Sequence, residues 1–145
     1  MLCAEPSAGQ LRQLAAADLQ AVERHLLELR FADRRTRFRA AIADTVIATY
    51  VRQMDPARSV LVGVIEASTG RIVGLAEAHR GEAARTVEIA ISVDERYQRQ
   101  GLGQRLVSYA VALAFENGAE IAEFEFDPDN RALIGLVRRL GARID

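Results

Sequence analysis

The chain has no lysine: its nineteen Lys/Arg-type cations are all arginine. Codon bias is the ordinary cause, and the consequence is that its N-terminal amine is the one amine open to acylation. The single cysteine, Cys3, has no disulfide partner and no nearby histidine to activate it, which excludes a disulfide scaffold and a thiolate nucleophile. No apolar run approaches the roughly 20 residues of a membrane span. Met1 to Gln10 lacks a charged start followed by an apolar stretch, so a cytoplasmic setting without a membrane partner is expected. Repeats, low-complexity segments and Pro/Gly/Ser-rich linkers are also missing, and 145 residues suit a single domain, 1–145. With half its residues apolar and a formal charge of −1, the chain is neither disordered nor suited to nucleic acid.

What is present alternates between helical and extended patterns. Asp18 can cap a helix bearing Leu19, Val22, Leu26 and Leu29 at helical spacing. Phe31, Arg34, Arg35 and Phe38 share a face in an arginine-rich segment, and Asp44 can cap a third helix to about Met54. The β-branched run Ser59 to Ile65, the turn Ser68-Thr69-Gly70 and the run Ile72 to Ala76 read as a hairpin. In Thr86 to Val93 the odd positions are aliphatic and the even ones small or polar, which predicts a strand with one core face. Leu102, Leu106, Ala110, Leu113 and Ala114 predict a helix that stops at Asn117-Gly118. A strand from Glu120 to Phe126 follows, broken by Asp127-Pro128-Asp129-Asn130. That break supplies the cap for a last helix carrying Leu133, Leu136, Val137 and Leu140, ended by Gly141. The fold class is α/β.

Gln98-Arg99-Gln100-Gly101-Leu102-Gly103 joins a strand to a helix, and its two glycines let the backbone pass close to a ligand. Helix dipole, unpaired amides and the charges of Arg96, Arg99 and Arg105 favour an anionic ligand there, such as a phosphate. A plain strand-to-helix turn satisfies the same pattern. A Walker-type loop is excluded because there is no lysine, and the dinucleotide fingerprint because Leu106 stands where a third glycine is required. Glu88 stands out as the one charged residue on its strand, sharing a face with Thr86, Ala90 and Ser92. A carboxylate at a solvated strand end, paired with Arg85, fits that pattern too.

The stretch from Val87 to Gly103 resembles the acetyl-CoA-binding core of the GNAT superfamily of N-acetyltransferases. Gln98, Gly101 and Gly103 meet its Gln/Arg-x-x-Gly-x-Gly/Ala signature, and Ile91-Ser92-Val93 precede it at the distance of the family's pantetheine-binding strand. Asn130, Leu136, Arg139 and Gly141 fit a second landmark at the last helix. Within the superfamily, Val87-Glu88-Ile89-Ala90, Arg34 to Phe38, Asn130-Arg131 and Arg138 to Gly141 are similar to Pat-type protein lysine acetyltransferases.

This resemblance implies a mixed, mostly antiparallel sheet flanked by helices. It implies acetyl-CoA as acetyl donor, no metal, and donor contacts from Ile91, Ser92, Val93, Gln98, Arg99, Gln100, Gly101, Leu102, Gly103, Gln104 and Asn130. Glu88 would be the general base toward a primary amine, in Pat-type enzymes a protein lysine; a small amine or antibiotic as acceptor, or a non-catalytic acyl-CoA sensor, are the alternatives. Such a base is needed because an amine of pKa near 10.4 is protonated at neutral pH. Val137 stands where many members carry a tyrosine that protonates the leaving thiolate. His79 has a minor claim to the acceptor side, His25 and Tyr97 smaller ones. The family's closing hairpin has no counterpart after Gly141-Ala142, so truncated C-terminal strands are expected. A homodimer covering the Glu120 to Phe126 edge is expected with them.

Overall fold

In a computed structural model of the chain, which describes residues 9–125 and 130–139, five strands form one sheet in the order β1-β2-β3-β4-β5. β1 (Gln10–Gln13), β2 (Val60–Ile65), β3 (Ile72–Arg80) and β4 (Thr86–Val93) are antiparallel neighbours, and β5 (Ile121–Phe124) runs parallel to β4. The helices are α1 (Leu19–Leu27), α2 (Phe31–Phe38), α3 (Asp44–Arg52), α4 (Leu102–Glu116) and α5 (Arg131–Arg139). The mixed, mostly antiparallel sheet expected from the sequence is therefore present.

Each face of the sheet has its own core. On one side Leu102, Leu106, Val107 and Ala110 of α4 and Leu136 and Val137 of α5 pack on Val62, Val64, Ala76, Ala78 and Ile89. The aliphatic positions of β4, namely Val87, Ile89, Ile91 and Val93, belong to this side, as their alternation predicts. On the other side Val22 and Leu26 of α1 and Ile47 and Val51 of α3 cover Leu61, Ile72 and Leu75. β2 is apolar nearly throughout because both its faces are covered.

Local signals are met with adjustments. α4 ends at Asn117, and Gly118 takes a φ of +104°, a left-handed conformation that suits glycine. The Asn130 side chain accepts from the Leu133 amide at 3.2 Å and so caps α5. Asp18 does not cap α1 in the expected way. It closes a short 3-10 turn, where its carboxylate takes the Ala15 amide at 2.8 Å and the Arg12 guanidinium at 2.9 and 3.0 Å. Ala43 is the cap residue of α3, and Asp44 in the first turn pairs with Arg34 at 2.7 Å. β1 has no counterpart among the predicted elements, since Leu11 is its one apolar residue and its pairing to β2 supplies the order. Cys3, Phe126, Asp127, Pro128, Asp129, Leu140, Gly141 and the last four residues lie outside the described residues.

Candidate active site

β4 is longer than its partner. The β4–β5 ladder stops at the pair Ile89 and Phe124, while β4 continues to Val93. Residues 90–93 pair with β3 on one side, and among the described residues no strand pairs with them on the other. The main-chain groups not spent on β3 face the gap where the two parallel strands part, and of these the Val93 carbonyl is taken by Gln98. A stretch of backbone held extended by one neighbour and open at its other edge is a ready receptor for amide groups of a ligand.

The chain then turns through a short 3-10 helix, residues Glu95–Tyr97, in which the Arg96 amide donates to the Asp94 side chain. The Gln98 side-chain amide donates to the Val93 carbonyl at 2.9 Å and pins the loop to the end of β4. Arg99 and Gly101 both adopt left-handed backbone, φ +65° and +78°. A side chain at Gly101 would meet open space, so glycine serves conformation there. Gly103 serves proximity, because an added Cβ would lie 3.3 Å from the side-chain tips of both Ile91 and Leu136. The first intrahelical bond of α4 runs from the Arg105 amide to Gly101, which leaves the amides of Leu102, Gly103 and Gln104 without a carbonyl one turn earlier. Arg99 and Arg105 are exposed and make no ion pair among the described residues. Arg96 is turned instead toward Asp94, at 3.3 Å, and over the Tyr97 ring.

These elements line one cleft of about 800 Å³. Of the residues singled out in the sequence it brings together Glu88, Ile91, Ser92, Val93, Gln98, Arg99, Gly101, Leu102, Gly103, Gln104 and Asn130. Gln100 is not on its wall; the side chain reaches back to the Arg96 carbonyl at 3.3 Å. The Gln104 side chain takes Arg139 Nε at 3.3 Å and so ties α4 to α5 beside the cleft. The Ser92 hydroxyl points away to the other face, 2.9 Å from His25 Nε2. His25 is buried, and Nδ1 lies 3.0 Å from the Ile72 carbonyl. Because a carbonyl can only accept, Nδ1 carries the proton and Nε2 accepts from Ser92. Burial pushes the imidazole pKa down against its hydrogen bonds and nearby carboxylates. His25 is thus a neutral crosslink from α1 to β3 and β4.

At the other end of the cleft Glu88 lies across the ladder from His79. Glu88 is exposed and makes no hydrogen bond or ion pair among the described residues. Both nitrogens of His79 are engaged, Nδ1 with Ser59 Oγ at 2.8 Å and Nε2 with Glu77 Oε1 at 3.0 Å. Glu77 is fully buried. Its Oε1 also accepts from the Tyr50 hydroxyl at 2.6 Å, and its Oε2 from Arg37 Nε and Nη2 at 3.2 and 2.7 Å. Burial alone would raise the Glu77 pKa, but the Arg37 charge and the bonds from His79 and Tyr50 outweigh it and bring it to about 2. Burial, and then the Glu77 charge, push the Tyr50 hydroxyl up.

Arg37, Tyr50 and Glu77 were not among the residues the sequence pointed to. The available signal was a lone acid in the apolar run Leu75-Ala76-Glu77-Ala78. Among the described residues no cluster of His, Cys, Asp or Glu could hold a metal ion, and no helix is long and apolar enough to cross a membrane.

The sequence profile of the Acetyltransferase (GNAT) family matches residues 12–142. The fold is shared with the crystal structure of the GNAT domain of S. lividans PAT, at 17% identity and a TM-score of 0.74, over 90% of this chain and 79% of that one. It is shared too with an aminoglycoside acetyltransferase from an uncultured soil metagenomic sample, at 20% identity and a TM-score of 0.71, over 94% and 90% of the two chains. A ribosomal-protein-alanine N-acetyltransferase from Brucella melitensis is a third, at 16% identity and a TM-score of 0.68, over 91% and 83%. A search of curated protein sequences gives no match.

Proposed function

Because the chain belongs to the acetyltransferase (GNAT) family, we propose that it moves the acetyl group of acetyl-CoA to a primary amine, with Glu88 as general base. The observation that carries this is the open main-chain edge of residues 90–93, which leads directly into the amide-rich loop 98–103. The pantetheine arm of acetyl-CoA has amides to pair with such an edge. Its pyrophosphate matches the free amides at the start of α4 and the unpaired charges of Arg99 and Arg105. Asn130 uses its carbonyl oxygen on the α5 cap, which leaves its side-chain amide as a donor toward the ligand.

Glu88 suits the base because it is the carboxylate in the cleft that no cation engages, whereas Glu77 is saturated. An ammonium group must lose a proton before its lone pair can attack. Glu88 accepts that proton, the nitrogen bonds to the thioester carbonyl carbon, the C–S bond breaks with the sulfur leaving as thiolate, and the second proton shed by the acylated nitrogen passes to that thiolate. Val137 is buried in the α5 core, and the Tyr97 hydroxyl is occupied by Glu66, so the thiolate leaves without a phenol beside it. A thiol pKa near 8.5 makes this feasible.

The acceptor we propose is a protein lysine, on the Pat-type resemblance of the segments around Arg37, Glu88 and Asn130. CoA release from acetyl-CoA with lysine peptides, aminoglycosides and simple amines tests it. Turnover of aminoglycosides alone would move the acceptor to small molecules. Tight acetyl-CoA binding without turnover of any amine would replace the enzyme by an acyl-CoA sensor. A cytoplasmic location and a homodimer through β5 complete the proposal. The dimer is supported by Ile121, 54% exposed on a strand that pairs on one side only among the described residues. A monomer by light scattering would remove it.

A further inference from the structure

The Arg37 side chain is nine-tenths buried, and two of its three nitrogens are spent on Glu77 and Tyr50. The third, Nη1, makes no hydrogen bond among the described residues. Among the described residues no buried side-chain nitrogen lacks a partner, so Nη1 is open to solvent, and Arg37 lines the cleft. The group is therefore a hydrogen-bond donor presented from a guanidinium that cannot swing away. It is fixed by Glu77 on one side and by the Phe38 and Tyr50 rings, 4.5 and 5.5 Å from its central carbon. Its charge is balanced by Glu77 at 2.7 Å, so it offers direction rather than a bare positive field, and an incoming ammonium is not repelled as it would be by a lone arginine.

Glu77 pairs with Ala90 across the ladder, and His79 with Glu88. Residues two apart on a strand are separated by about 7 Å, so the backbones of Glu77 and Glu88 are offset by about that much along one face, and Arg37 and Glu88 line the same cleft. We propose that Arg37 is a specificity-determining residue whose Nη1 binds a carbonyl oxygen of the acceptor. The favoured acceptor is then a primary amine whose carbonyl is set well apart from its nitrogen, as in a lysine residue, whose long stem separates ammonium and backbone carbonyl. A neutral carbonyl suits this donor better than a carboxylate, because the Arg37 charge is already met by Glu77. This rests on the acetyltransferase reading, with Glu88 at the amine.

The test compares Nα-acetyl-lysine methylamide with n-pentylamine, which carries the same terminal amine and no carbonyl, using acetyl-CoA and the wild-type chain. The lysine derivative is expected to have the larger kcat/KM by about tenfold or more, the worth of one hydrogen bond to a charged group, through KM. In Arg37→Lys that ratio should collapse toward one. A loss of fold or of site geometry would lower both acceptors together and leave the ratio standing. Equal kcat/KM for the two acceptors in the wild type would overturn the proposal even if the variant failed to fold. So would a ratio unchanged in a folded Arg37→Lys. If acetyl-CoA binds and neither amine is acetylated, this proposal falls, and the acetyltransferase reading falls with it only when aminoglycosides and the other amines are left untouched as well.

Discussion

Glu88 lies directly across the β3–β4 ladder from His79, yet it is the histidine that is tied down and the carboxylate that is free. Ser59 and Glu77 hold both imidazole nitrogens, so His79 has no lone pair aimed at a substrate. Glu88→Gln, which keeps size and removes proton affinity, should lower kcat by about a hundred- to ten-thousand-fold. Acetyl-CoA affinity, read by calorimetry, should remain. Wild-type kcat on the true acceptor would place the base elsewhere.

The Arg37–Glu77 pair should dominate the acid side of stability. A carboxyl held near 2 in the fold and at 4.5 when unfolded contributes fully above pH 4.5, and the contribution is lost as pH falls through the folded value. The amount is roughly 3 kcal/mol. Denaturant unfolding at pH 6 and pH 3 reads about 2 kcal/mol of it, since pH 3 still lies above the folded value, and Glu77→Gln should shrink the difference by that share. Arg37→Ala, which leaves a buried carboxylate unpaired, should cost about 3–5 kcal/mol.

His25 works in the same direction through a different window. Its pKa is depressed by burial from 6.5, so below that value the unfolded chain takes up a proton that the folded chain refuses. Stability therefore falls as the pH drops below 6.5. Proton NMR of the imidazole should find its titration displaced below 6.5. His25→Ala should cost about 2–4 kcal/mol, because it removes buried volume and strands the Ile72 carbonyl and Ser92 hydroxyl.

Gly101→Ala separates conformation from crowding. The space is open and the φ is +78°, so the stability cost should be the left-handed penalty of about 1–2 kcal/mol. If the loop amides hold the pyrophosphate, acetyl-CoA affinity should fall further than stability does. Arg99→Ala should weaken the donor too, by an amount that shrinks with added salt.

The end of the cleft we propose for the donor was legible because it is built from neighbours in sequence. A strand with one aliphatic face, a two-glycine turn and an asparagine before a helix each leave a local signature, and α4 stops where Asn117-Gly118 says it should. At the end we propose for the acceptor, the sequence singled out Glu88 and left the buried cluster behind it unmarked. Arg37 sits among Arg34, Arg35 and Arg39, and nothing local marks which of the four goes inside. That is decided by Glu77, forty residues further on. Asp18 stands at the N-cap of α1 without capping it by its side chain, and Asp44 falls one residue inside α3, for a related reason: each carboxylate found an arginine outside its own helix. β1 gave no signal because it is held by its partner rather than by its composition.

The early end of the β4–β5 ladder means that donor recognition at residues 90–93 would be written in peptide groups rather than in side chains. Peptide groups are the one part of a protein that mutation does not change, short of proline. Side chains along that strand could then drift freely as long as they keep it extended. A lineage built this way can retool its acceptor end repeatedly and keep the same fuel.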